Sequence, residues 1–187
     1  MPTFISGLPV HVLLVHAVVV LVPLAVLSTV LIALWPAARR RHGWLAVAVT
    51  AVATLAIPLT TSSGEGLEAH LPRDPLIAAH THLGDELLPF VALLLAASLA
   101  LVVLDRYRAR VIGPAPAEGP GAMTVDRKAR TPVWTRVAGL ALAVVVVLMG
   151  VVTMVQVVRI GDSGARAAWS RVHYVQPAAR GHRGNDG

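Results

Sequence analysis

Long uncharged runs alternate with short segments that carry nearly all the charge. Met1 to Ala38 contains no Lys, Arg, Asp or Glu. Within it, residues 12–35 are predominantly apolar, enough for roughly 36 Å of helix at about 1.5 Å per residue. Three further runs follow, over residues 44–63, 87–104 and 137–158. Their borders are Arg39-Arg40-Arg41, Asp85-Glu86, Asp105-Arg106, Arg136 and Arg159. Apolar residues in these runs are continuous rather than alternating, which excludes the strands of a β-barrel. The pattern predicts an all-α protein, a polytopic membrane four-helix bundle. Residues 1–160 form its transmembrane domain, and residues 161–187 an amphipathic and then disordered tail.

Three connections join the spans. A tight basic turn is expected over residues 39–43. Residues 61–86 are acidic and histidine-bearing, and residues 105–136 are basic. The Gly/Pro-rich stretch 113–121 reads as a flexible loop. Gly161-Asp162-Ser163-Gly164-Ala165 reads as a turn ending the fourth helix. Basic loops stay cytoplasmic, and the first and third connections hold Arg39, Arg40, Arg41, Arg106, Arg108, Arg110, Arg127, Lys128, Arg130 and Arg136. The second holds only Arg73. Both termini are therefore expected on the extracytoplasmic side, although the tail is itself basic. Trp35 and Trp44 fit an interfacial belt. The N-terminal run has no basic n-region and exceeds an h-region, so it reads as a retained helix.

Composition supports this picture. Hydrophobic residues make up 56% of the 187 and charged residues 14%, against about a quarter charged in soluble domains. Mean hydropathy is +0.70. The absence of cysteine removes disulfides, thiolate metal sites, iron–sulfur clusters and covalent haem attachment. The net charge of +6 follows from topology and not from nucleic-acid binding. Arginine supplies every basic residue but Lys128. With abundant Ala, Val and Gly, this fits a GC-rich bacterial genome and hence a bacterial inner membrane.

Small residues suggest packing faces: Ala92, Ala96 and Ala100; Ala48, Val52 and Ala56; Gly139 and Ala143. Pro23, Pro58 and Pro89 bend their helices. His16 precedes Pro23 by the same interval as His82 precedes Pro89, a weak echo of a duplicated helix pair.

Chemistry collects at the outer end. His11, His16, His70, His80 and His82 lie there with Glu65, Glu68, Asp74, Asp85 and Glu86; the orientation adds His173 and Asp162, while His42 lies with the inner arginines. His16 stands inside an apolar span, where an ionisable group needs a partner. His11 and His16 diverge by about 140° on a helix and cannot chelate one ion from one face. His82/Glu86 and His70/Asp74 are i, i+4 pairs of the kind that orients an imidazole. Haem b between helices is one expectation, through His16 with His80 or His82, with His11 as a further candidate. A divalent metal on His16, His82, Asp85 and Glu86 is another. No phosphate loop, nucleophile elbow or zinc-protease motif occurs, and no catalytic residue is assigned.

Leu8-Pro9-Val10-His11 with Val15-His16, Ser63-Gly64-Glu65, His82-Leu83-Gly84-Asp85 and Val158-Arg159-Ile160-Gly161-Asp162-Ser163-Gly164-Ala165 resemble, as an ordered set, the bacterial membrane family catalogued as domain of unknown function 2231. The resemblance runs from about Leu8 to Trp169. Val12 stands where members often have Pro, and Asp162 where they often have His. The resemblance implies a four-helix membrane fold and no established activity. Three functions are expected to compete. One is a redox or electron-transfer module. Another is a non-enzymatic subunit or sensor with pH-responsive histidines, acting with a membrane-protein partner or as a homo-oligomer in the lipid bilayer. The third is a small transporter or channel.

Overall fold

The computed structural model describes residues 4–5, 8–112 and 132–170. The stretch 113–121, Arg127, Lys128, Arg130, His173 and the tail beyond residue 170 lie outside the described residues. The described part is mainly helical; besides short connections it has a two-residue ladder, β1 (Phe4–Ile5) against β2 (Leu8–Pro9), antiparallel with Phe4 opposite Pro9. The helices are α1 (Val10–Leu34), α2 (Pro36–Glu68), α3 (Pro75–Asp85), α4 (Leu87–Ile112) and α5 (Val133–Trp169). Four helical segments are long and apolar enough to cross a membrane: Val10–Leu34, Pro36–Glu68, Pro75–Val111 and Val133–Trp169.

Two prolines set the helix starts. Trp35 is extended (φ −119°, ψ 99°) and Pro36 opens α2. Asp74 is extended (φ −136°, ψ 126°) before Pro75, and its carboxylate accepts from the Leu76 N–H at 2.9 Å. A proline pushes the preceding residue out of the α region and itself suits the first helical position, where its missing N–H is not needed. The expected turn over residues 39–43 is therefore corrected: those residues are helical, and the chain reverses at Trp35. Arginines are good helix formers, so the triplet marks the membrane edge without ending a helix.

The expected turn at residues 161–165 is corrected as well, because α5 continues through it to Trp169. Asp162 and Arg166 pair at 2.7 Å across one helical turn, and Ser163 Oγ donates to the Ile160 carbonyl at 2.9 Å. Packing of this segment against α3 offsets a helix-propensity cost of about 1 kcal/mol per glycine.

The helices pack in the ring order α1, α2, α4, α5, with α1 diagonal to α4. Towards the histidine-bearing end the core is Val18, Val22, Ala25, Ala53, Ile57, Leu87 and Val91. Deeper layers join Val26, Leu94, Ala97, Leu101 and Val146, and Ile32, Ala46, Val47 and Val102. Leu27, Leu55 and Leu140 are each about two-thirds exposed (67%, 68% and 70%), as lipid-facing side chains should be. Between lipid and core there is no hydrophobic gradient, so helices associate through close packing. At Gly43 an added Cβ would lie 2.9 Å from Val102 Cγ2; at Gly150 it would lie 3.1 Å from Val30 and 3.2 Å from Val26.

The small-residue faces hold only on α5, where Gly139 is buried. On α4 and α2 they are corrected: Ala96, Ala100, Ala48 and Val52 are exposed. The buried faces carry Leu94, Ala97, Ser98 and Leu101, and Ala46, Thr50, Ala53 and Ile57. Thr29, Thr50 and Thr60 donate back to carbonyls of their own helices at 2.8 Å. Hydroxyls satisfied in this way can be buried at little cost.

At the far end from the histidines, Arg39 Nε lies 3.3 Å from Asp105 Oδ1, and Arg106 donates to the Arg40 carbonyl at 3.0 Å. These contacts tie α2 to α4.

Candidate functional site

At the histidine-bearing end the helices enclose a cavity of about 750 Å³, inside the ~300–1,000 Å³ range of small-molecule and cofactor sites. Its walls are mainly apolar, from Val15, Val18, Ile57 and Leu87 among others. Its polar groups include His11, His16, Glu68, His80, Thr81 and Asp85.

His11 sits in the first turn of α1 and faces α2. Its Nδ1 lies 3.0 Å from the Thr60 carbonyl oxygen and 3.3 Å from Ser63 Oγ. A carbonyl only accepts, so Nδ1 carries the proton and donates. Ser63 Oγ in turn donates to the same carbonyl at 2.7 Å. The ring lies against Gly64, where an added Cβ would stand 2.9 Å from its Cε1.

His80 sits on α3 and faces α5. Its Nδ1 lies 3.0 Å from Ser163 Oγ. That hydroxyl spends its hydrogen on the Ile160 carbonyl, leaving oxygen lone pairs to accept from Nδ1–H. The ring lies against Gly164, whose added Cβ would stand 3.0 Å from Cε1. His11 and His80 are close enough to interact electrostatically. Both are half-buried. Among the described residues neither Nε2 has a hydrogen-bond partner, so each neutral ring offers an Nε2 lone pair.

The other expected site residues fall differently. His16 lines the same cavity but is exposed, and its Nδ1 donates to the Val12 carbonyl one turn back at 2.6 Å. The divergence between His11 and His16 turns His11 towards α2 and leaves His16 at the cavity's margin. His82 is not a cavity residue; its side chain is 78% exposed, with Nδ1 3.4 Å from Glu86 Oε1, the i, i+4 pair expected. Glu86 also accepts from Gln156 Nε2 at 3.1 Å, and the same amide donates to the Leu83 carbonyl at 3.1 Å, across the one-residue break between α3 and α4. Asp85 borders the cavity. His70 and Asp74 are not a helical pair: His70 follows the end of α2 and donates to the Gly66 carbonyl, while Asp74 caps α3. His42 is exposed on α2.

Among the described residues no three His, Cys, Asp or Glu side chains gather at metal-binding distance. The set His16, His82, Asp85 and Glu86 is therefore not brought together, and His16 is not joined to His82. The pair the fold does bring to one cavity with matched hydrogen bonding is His11 and His80. Depth in the apolar span favoured His16 in the sequence. Helix phase decides instead, and Ser63-Gly64 and Ser163-Gly164, one small polar and one bare residue on each facing helix, were the signal available for it.

No curated protein and no solved structure matches the chain. A family model does, over residues 7–177, and it is described as a predicted membrane protein (DUF2231). With this match covering most of its length, and with four membrane-spanning helical segments around one cavity, the chain belongs to the DUF2231 family of membrane proteins.

Proposed function

We propose that this multi-pass membrane protein is a haem b-binding electron-transfer module in which His11 and His80 would hold the haem. One observation carries the reading: two imidazoles, from α1 and α3, line a single cavity, each with Nδ1–H donated away and, among the described residues, Nε2 without a partner. A ligating histidine typically has its second nitrogen held by a carbonyl or hydroxyl, which fixes the tautomer and raises basicity at the ligating nitrogen. Four-helix bundles hold cofactors between such facing side chains. The donor chemistry fits, and so does a mainly apolar cavity of about 750 Å³.

Haem held there supplies one-electron redox chemistry. His11 and His80 would orient it through their rings, and Val15, Val18, Ile57 and Leu87 would give it apolar walls. The basic residues Arg39–Arg41 and Arg106–Arg110 favour placing the opposite end in the cytoplasm. The haem end then faces outward from a bacterial inner membrane, where it exchanges electrons with a partner on that side.

Titration of detergent-purified protein with haem tests the reading. The expected result is a low-spin Soret spectrum at one haem per chain, lost in His11→Ala and His80→Ala and retained in His82→Ala. Wild-type protein that gives only the spectrum of free haem refutes it.

A further inference from the structure

The two candidate ligands are held by one device used twice. On α2, Ser63 donates to the carbonyl three residues back and Gly64 follows it; His11 rests on both. On α5, Ser163 does the same, Gly164 follows, and His80 rests on both. The geometry agrees atom by atom. A Cβ on Gly64 would stand 2.9, 3.1 and 3.6 Å from Cε1, Nδ1 and Nε2 of His11. A Cβ on Gly164 would stand 3.0, 3.2 and 3.6 Å from the same atoms of His80. In the helix ring α1 neighbours α2 as α4 neighbours α5, and the two remaining neighbouring pairs, α2 with α4 and α5 with α1, exchange when α1 is swapped with α4 and α2 with α5. The correspondence pairs His11 with His80, in place of the His16 and His82 echo in the sequence.

We infer that the site is assembled from two equivalent half-sites, His11 with Ser63-Gly64 and His80 with Ser163-Gly164, in which the two Ser-Gly pairs are positioning residues. The inference rests on the proposed haem reading for its ligand and extends it to how the ligands are aimed. The serine and the carbonyl behind it fix the tautomer. The bare glycine lets the ring approach its helix and sets the ring plane. A ligand held between the two rings would then meet similar imidazole surroundings on both sides.

Gly64→Ala and Gly164→Ala test this, because each new methyl group must displace one ring. Gly66→Ala and His82→Ala are controls: an added Cβ at Gly66 meets nothing within 4 Å, and neither residue lines the cavity. Two readouts apply: haem affinity, and the imidazole tautomers of ¹⁵N-histidine-labelled protein without haem. Wild-type His11 and His80 should both be Nδ1–H. Gly64→Ala should disturb His11 alone and Gly164→Ala His80 alone. Each should weaken haem binding roughly tenfold or more, as loss of outer-shell support does, and the two losses should agree within about threefold. The controls should match wild type. A loss in one variant only, or equal losses in the controls, overturns the inference. If wild-type protein binds no haem, the haem reading fails, and the tautomer measurement alone decides the half-sites: both rings Nδ1–H and separately disturbed supports them, and any other pattern refutes them.

Discussion

Replacing Asp105 by Asn isolates the ion pair that joins α2 to α4. The side chains of Arg39 and Asp105 are only 9% and 15% exposed, and Arg39 Nε stands 3.3 Å from Asp105 Oδ1. The pair meets by distance without hydrogen-bond alignment, because that Nε has no hydrogen-bond partner among the described residues; the attraction is chiefly Coulombic. At this separation it lies between about 1 kcal/mol at the permittivity of water and about 5 kcal/mol at an effective value of 20. Breaking a fully buried pair costs ~3–5 kcal/mol because a charge is left uncompensated. Imperfect alignment and residual exposure reduce this, so Asp105→Asn should cost roughly 2–4 kcal/mol. Arg39→Met with Asp105→Asn removes both charges and should recover part of the loss, because Arg108 also interacts electrostatically with Asp105. Helix loss during SDS titration of dodecylmaltoside micelles, followed by circular dichroism, measures each corner of the cycle. A single-mutant cost below about 0.5 kcal/mol, or a double mutant as unstable as the sum of its singles, would show that the pair holds nothing together.

Gly43→Ala should destabilise by about 1–2 kcal/mol, because overpacking against the buried Val102 outweighs the better helix propensity of alanine. Adding Val102→Ala should relieve part of that cost, and the same titration detects the coupling. Thr153 is fully buried and its hydroxyl has no hydrogen-bond partner among the described residues, so Thr153→Val should stabilise by about 1 kcal/mol; a lower midpoint than wild type would contradict this.

Some of this structure was legible from residues and some was not, for identifiable reasons. The spans announce themselves because lipid demands long apolar runs, and Val12 to Trp35 contains no charge to interrupt one. The helix limits are less visible: charge marks where the membrane ends, whereas proline geometry marks where a helix starts. The chain therefore reverses at Trp35-Pro36 and leaves Arg39–Arg41 helical. Buried faces were misread on α2 and α4 because apolar periodicity vanishes when both surroundings are apolar. The small polar residues Thr50, Thr60 and Ser98 trace the buried side better than Ala48 or Ala96 does. The candidate site was legible as an end of the bundle and as a set of imidazoles. Which imidazoles meet depended on contacts 49 and 83 residues apart in the chain, His11 with Thr60 and His80 with Ser163, and local spacing carries no information about those.

The single-residue reversal at Trp35 and the Arg39–Asp105 contact together make a pivot. At the other end α2 and α3 are joined by a longer link, residues 69–74, beside the cavity. A bundle fastened this way has the geometry of a lever. With α2 roughly 50 Å long, a tilt of only ~5° about the pivot would swing its far tip by about 4 Å. Gly64 rides on that tip against His11, so any change in helix tilt would register as a change in spacing at the imidazoles.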